Sequence, residues 1–227
     1  MCTFFNDRRE SAESERAVGA ARGRESPARP VIRSCETGPM TRVIAGSAGG
    51  RRLAVPSGRD TRPTSDRARE GLFSTVQALL GPLDGLRVAD LYAGSGAVGL
   101  EALSRGAAHA LLVESHPRAL KVIRQNAAAL GLPGAVPLGE KAERLARTAP
   151  DEPYDLIFAD PPYALPDAAV TGLLEDLRDH GWAAPDALVV VERSIRGRDL
   201  VWPDGFEGER DRRYGEAVFW YGRAVGA

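Results

Sequence analysis

Residues 157 to 166 read IFADPPYALP: an apolar run that ends on a carboxylate, Asp160, followed by Pro161, Pro162 and an aromatic residue, Tyr163. A turn needs only Gly or Asn, so this combination points to chemistry. The exocyclic amine of a nucleobase is a poor nucleophile because its lone pair is delocalised into the ring. A carboxylate and a backbone carbonyl, each accepting from one N–H of that amine, draw the nitrogen toward tetrahedral geometry and free the lone pair. Positioning supplies much of the acceleration, and the carboxylate stabilises the positive charge that develops on nitrogen. Proline lacks an N–H and has a fixed φ. Pro161 and Pro162 would therefore hold the Pro161 carbonyl at the amine, and Tyr163 offers a face for an unpaired or flipped base. Asp160, Pro161, Pro162 and Tyr163 are the candidate catalytic residues.

An amine nucleophile needs an electrophile, and a second motif supplies a place for one. In DLYAGSGAVGLE, Gly94, Gly96 and Gly99 follow an apolar run and open a helical pattern, and Glu114 ends the next apolar run. Such glycines let the backbone approach a nucleoside cofactor, and the acid accepts hydrogen bonds from ribose hydroxyls. Asp90 stands at the mouth of this loop. It would repel the phosphates of a dinucleotide and attract the ammonium group of S-adenosylmethionine, so the charge pattern favours the latter. Tyr92 and Ser95 fall in the same loop and join the candidate cofactor set. After the third apolar run, Glu140 and Lys141 are the candidates for adenine contact, a carboxylate accepting from the amino group or a backbone N–H donating to the ring. A solvated helix N-terminus explains Glu140 almost as well.

These residues need elements to hold them. From residue 86 onward, short apolar runs (86–92, 110–114, 135–138, 154–160, 187–192) alternate with helical patterns (97–105, 117–131, 141–147, 166–181). Alternation of this kind predicts a mostly parallel sheet with helices on both faces. Ligands in such sheets lie at the C-terminal ends of the strands, where the candidates fall. Upstream, TRVIAGSAGGRRLAV (41–55) reads as a hairpin. The block RDTRPTSDRAREGLFSTVQALL reads as a helix opening near Pro63 and Thr64, with Leu72, Phe73, Val76, Leu79 and Leu80 as its apolar stripe. The tail closes on a hairpin around Tyr214 and Gly215. Trp182, Trp202 and Trp220 are expected in the core or at its edge.

Composition bounds the rest. The chain has 227 residues, 43% of them hydrophobic, which suits one domain with a sizeable core. No stretch has the ~18 apolar residues of a membrane span, and no apolar run of signal-peptide length opens the chain. A cytoplasmic protein is the default expectation. Both cysteines, Cys2 and Cys35, lie in the first 39 residues, and the three histidines have no partner spacing. No metal site and no disulfide framework is expected in the folded part. Residues 1–39 lack periodicity and read as a disordered leader, with Met40 as an alternative start. Residues 40–60 read as the hairpin extension, and 61–227 as the main domain.

The motifs resemble those of a known family. VADLYAGSGAVGLE with IFADPPY is similar to S-adenosylmethionine-dependent methyltransferases that modify adenine N6, cytosine N4 or guanine N2. RVIAGSAGGRRLAVP, RPTSDRAREGLF, AGSGAVGLEALSRGA and DPPY occur in the order found in RsmD-type 16S rRNA (guanine-N2)-methyltransferases of bacteria, over residues 40 to 223. The resemblance implies a Rossmann-like class I methyltransferase fold with a seven-stranded sheet and an N-terminal β-hairpin extension. It also implies S-adenosyl-L-methionine as cofactor, and one guanine of 16S rRNA as target. The family usually has Asp or Asn where this chain has Glu140-Lys141.

The net charge of -1 gives no general attraction to nucleic acid. Between Arg42 and Glu70, however, seven arginines stand against three acids. Arg42, Arg51, Arg52, Arg62, Arg67 and Arg69 are the candidate RNA-binding residues, able to neutralise phosphates and orient a strand. Arg62 or Arg67 could instead reach the cofactor carboxylate. The expected partner is 16S rRNA, within the 30S subunit, and a monomer is the default. Three alternatives remain. One is an adenine-N6 DNA or RNA methyltransferase. Another is an NAD-dependent oxidoreductase, which would leave Asp-Pro-Pro-Tyr without a role. The third is an RNA-binding assembly factor with a vestigial pocket, against which every expected cofactor position but one carries a suitable residue.

Overall fold

The computed structural model describes residues 40–56 and 65–225. The expected leader, the boundary at 60/61, Arg62 and the Pro63–Thr64 helix start lie outside the described residues.

Two strands, β1 (Met40–Arg42) and β2 (Arg52–Ala54), pair antiparallel with Thr41 opposite Leu53, giving the expected hairpin. Helix α1 (Asp66–Leu80) follows. Ser65 caps it, accepting from Ala68 N at 3.2 Å, and Gly81 at φ 82° ends it. Leu72, Phe73 and Val76 form its buried stripe.

The main sheet has seven strands: β3 (Arg87–Asp90), β4 (His109–Val113), β5 (Ala135–Leu138), β6 (Tyr154–Ala159), β7 (Ala183–Ser194), β8 (Phe206–Tyr214) and β9 (Ala217–Ala224). Their order is β5-β4-β3-β6-β7-β9-β8. The first five are parallel, and β9 runs antiparallel between β7 and β8. The order reverses direction between β3 and β6, where two successive crossovers leave on opposite sides and open a crevice. β7 extends beyond the expected 187–192 because its pairing with β9 continues to Ser194.

The connecting helices are α2 (Ala97–Ser104), α3 (Pro117–Leu130), α4 (Ala142–Leu145) and α5 (Asp167–Asp179). Side chains alternate across each buried strand. Val88, Leu156, Leu188 and Val190 pack with α1, α2 and α3. Ala89, Ile157, Val189 and Val191 pack with α4 and α5. Of the three tryptophans, Trp182 is fully buried, stacked on Tyr154, and donates its indole N–H to Thr148 O at 2.7 Å.

The N-terminal hairpin is fastened to α2 by polar groups. The buried Glu101 carboxylate accepts from Ile44 N at 2.6 Å, Ala45 N at 2.9 Å and Arg105 Nε at 2.8 Å. Ser104 Oγ accepts from Ala48 N and donates to Ala45 O. At Gly46, φ is 81°, and an added Cβ would lie 1.8 Å from Ser104 O. Only glycine permits so close an approach in that conformation.

Candidate active site

The C-terminal ends of β3, β4, β5, β6 and β7 open into one cleft of about 1700 Å³. It brings together Asp90, Tyr92, Gly94, Ser95, Glu114, Glu140, Lys141, Asp160, Pro161, Pro162 and Tyr163. Gly96, the N-cap of α2 at φ 79°, is not among the residues that line the cleft.

The glycine loop is held by the two carboxylates expected beside it. Glu114 accepts from Gly94 N at 3.0 Å and from His116 N at 2.7 Å. Asp90 Oδ2 accepts from Gly99 N at 3.1 Å. A Cβ at Gly99 would fall 2.2 Å from Leu112 Cδ2, so glycine lets α2 approach the sheet. Asp90 is almost fully buried, and its Oδ1 has no partner among the described residues. Burial, with Glu114 nearby, pushes its carboxyl up to about 7, although the Gly99 N–H opposes the shift. An orphaned buried oxygen of this kind is costly unless a donor from outside completes it.

On the far side of the loop, Tyr92 donates to Glu143 Oε1 at 2.9 Å. Burial and the Glu143 carboxylate both push the Tyr92 phenol up, so it stays a donor. Glu140 pairs with Arg144 and accepts from Lys141 N at 2.8 Å. The Arg144 pairing and then the Lys141 N–H hold Glu140 below the usual carboxylate range. Both Glu140 and Lys141 line the cleft, and Lys141 is the N-cap of α4.

The Asp-Pro-Pro-Tyr segment leaves β6 beside the loop. Burial, then Glu192, then Asp90 push the Asp160 carboxyl well up, and Arg193 pulls the other way. Pro161 is buried, while Tyr163 is 44% exposed with its ring lining the cleft. Leu165 N donates to Pro162 O at 2.7 Å and tightens the turn. Arg193, nearly buried, donates to Leu165 O and Asp167 Oδ1, both at 2.9 Å, tying the turn to α5.

Three site-building residues escaped the sequence reading. Glu192 ends the apolar run of β7 as Asp160 ends that of β6, and the same strand-end rule identifies it. Arg193 follows it on the opposite face. Asn126 lies within α3 and carries no local signal. It accepts from Ala54 N and donates to Ala54 O and Ser95 O, each at 2.9 Å, joining hairpin to glycine loop.

The expected arginine cluster divides. Arg69 is a correction: it is fully buried and donates to Thr41 Oγ1, Arg42 O and Asp66 Oδ1. It fastens the hairpin to α1 and cannot also face a phosphate at the surface. Arg51 donates to Leu130 O at 2.8 Å and to Ala129 O, satisfying the open carbonyls at the end of α3. Arg42 is exposed and pairs with Asp66 at 2.9 Å. Arg52 and Arg67 are exposed, and Arg67 lies at the cleft rim with Arg213 and Tyr214. Among the described residues, no group of three or more His, Cys, Asp or Glu is placed to hold a metal ion. No described helix is long and apolar enough to cross a membrane.

Residues 41–223 match the model of a family described as Conserved hypothetical protein 95. Ribosomal RNA small subunit methyltransferase D of Escherichia coli strain K12 is 35% identical over 183 residues, which is 78% of this chain and 87% of that protein. The solved structure of yhhF from Escherichia coli superposes with a TM-score of 0.72 at 30% identity, covering 83% of this chain and all of that one. A SAM-dependent methyltransferase from Aquifex aeolicus shares the fold, with a TM-score of 0.51 at 16% identity over 69% of this chain and 89% of that one. The architecture is that of a Rossmann-like methyltransferase with an N-terminal hairpin.

Proposed function

This chain belongs to the RsmD-type family of small-subunit rRNA methyltransferases, and from that premise we propose that it methylates the N2 amine of one guanine in bacterial 16S rRNA, within the 30S subunit, using S-adenosyl-L-methionine. One observation carries the reading. Asp160, at the end of β6, shares a cleft with a buried Asp90 whose Oδ1 has no partner among the described residues.

The residues fit the cofactor. Asp90 Oδ1 would take the ammonium group. Glu114 spends one backbone hydrogen bond on each oxygen, and a carboxylate has capacity for about four, so ribose hydroxyls can still be accepted. Glu140, Lys141 and Tyr92 border the position expected for adenine. When bound, S-adenosylmethionine supplies a methyl group made electrophilic by its sulfonium.

The chain's own residues prepare the amine. Asp160 and the Pro161 carbonyl accept its two N–H bonds and aim the lone pair. Tyr163 stacks on the base, and the Arg193 bonds to Leu165 and Asp167 keep the turn from moving. Forming the N–C bond as the methyl–sulfur bond breaks, with S-adenosylhomocysteine as the leaving group, would leave one proton too many on nitrogen. Asp160, with its carboxyl pushed up by burial and neighbouring charge, is suited to remove it. Arg42, Arg52 and Arg67 on the outer surface would contact phosphates.

The test is transfer from methyl-labelled S-adenosylmethionine to small subunits lacking native methylation, with naked 16S rRNA and duplex DNA alongside. Labelled N2-methylguanosine after digestion supports the proposal. N6-methyladenosine would retain the site and overturn the base assignment.

A further inference from the structure

The cleft floor holds three carboxylates at the ends of adjacent strands: Asp90, Asp160 and Glu192. The cofactor ammonium is assigned to Asp90 and the target amine to Asp160; Glu192 stands beside them. It is 6% exposed, lines the same cleft, and accepts from the Tyr163 hydroxyl at 3.4 Å. The β6–β7 register pairs Phe158 with Val190 and Ala159 with Val191, so the next step along both chains sets Asp160 beside Glu192. Adjacent strands are about 5 Å apart. After burial, Glu192 is the largest charge influence on Asp160, ahead of Asp90. A second acceptor thus stands next to the one that meets the amine.

A base whose amine sits on Asp160 must offer Glu192 a donor. Adenine N6 is flanked by N1, an acceptor. Cytosine N4 is flanked by N3, also an acceptor. Guanine N2 is flanked by N1–H, a donor. Of the three amines that an Asp-Pro-Pro-Tyr turn can serve, only guanine N2 matches two adjacent carboxylates.

We infer that Glu192 reads guanine N1–H and is the residue that selects guanine over adenine and cytosine in this cleft. The inference rests on the guanine-N2 reading above and adds the group that enforces it. With adenine, a ring lone pair would face a buried carboxylate. Sites built to hydrogen-bond a donor reject analogues lacking it far more strongly than apolar pockets reject a change in size. The Tyr163 bond aligns the stacking ring with the reading carboxylate, so base plane and base edge are fixed together.

2-Aminopurine tests this directly, because it keeps the C2 amine and replaces N1–H by a bare nitrogen. Small subunits are reconstituted with guanine or 2-aminopurine at the nucleotide that the wild-type protein methylates. The wild type should prefer guanine in kcat/KM by on the order of 10,000-fold. Glu192→Gln retains an acceptor for the Tyr163 hydroxyl and adds an N–H that can serve the bare nitrogen. It should bring the ratio to within about tenfold of unity while S-adenosylmethionine affinity is unchanged. A wild type that methylates 2-aminopurine as well as guanine overturns the inference, whether or not the variant folds. So does a Glu192→Gln protein with an unaltered ratio. A wild type that yields no N2-methylguanosine from either particle refutes the guanine reading itself, a different and separately visible failure.

Discussion

Asn126 Nδ2 donates to Ser95 O at 2.9 Å while the same amide pairs both ways with Ala54. One buried side chain on α3 thereby couples the N-terminal hairpin to the glycine loop. Asn126→Ala would leave the Ala54 N–H and two carbonyls without this partner. The expected loss of stability is about 1–3 kcal/mol, accompanied by weaker S-adenosylmethionine binding. Denaturant unfolding and cofactor titration check both. Unchanged affinity would show that the loop holds its shape alone.

Glu101 fastens the same hairpin from the other side. Removing its carboxylate by Glu101→Ala strands the Ile44 and Ala45 N–H groups and leaves Arg105 Nε without that partner. Breaking a buried charge pair in this way costs about 3–5 kcal/mol. Thermal unfolding measures it. Gly46→Ala should act in the same direction, since its Cβ has no room against Ser104.

These two residues show where sequence reading stops. The sheet, its helices and the strand-end carboxylates were legible because periodicity and motif spacing are local. Asp90, Glu114 and Asp160 lie where strand ends had to put them. Glu101 and Asn126 were not legible, because each acts across more than fifty residues and sits inside a helical pattern that explains it locally. Arg69 was misread for the same reason: an arginine rich in neighbours of its own kind looks like surface, and only packing reveals that α1 turns it inward. Glu192 was legible in principle, by the rule that found Asp160.

The arginines should therefore separate in experiment. Arg67→Ala and Arg52→Ala are expected to weaken transfer to rRNA and flatten its dependence on salt, by about one counterion per lost phosphate contact. Stability and S-adenosylmethionine affinity should hold. Arg69→Ala should do the reverse, destabilising the fold by about 1–3 kcal/mol through the lost bonds to Thr41 Oγ1, Arg42 O and Asp66 Oδ1, although Asp66 keeps its pairing with Arg42.

On the proposed reading, Asp90 should give the cofactor affinity a pH dependence. Its carboxyl stands at about 7 without ligand, and an ammonium partner favours the charged form. Below 7, part of the binding free energy must first remove a proton. Affinity should fall about tenfold for each unit below 7. Asp90→Asn should bind weakly and without that slope. Isothermal titration across pH 5.5 to 8 on the order of half-unit steps measures it. An affinity that rises as pH falls would contradict the assignment of Asp90 to the ammonium group.

The most direct measurement is single-turnover methyl transfer by Asp160→Asn, with S-adenosylmethionine affinity determined on the same protein. Asparagine keeps the shape of the side chain and removes its charge and basicity. Transfer slowed by about 100-fold or more, with cofactor affinity within about threefold of wild type, is the predicted result. Near-normal transfer would contradict the claim that the carboxylate at the end of β6 prepares the amine.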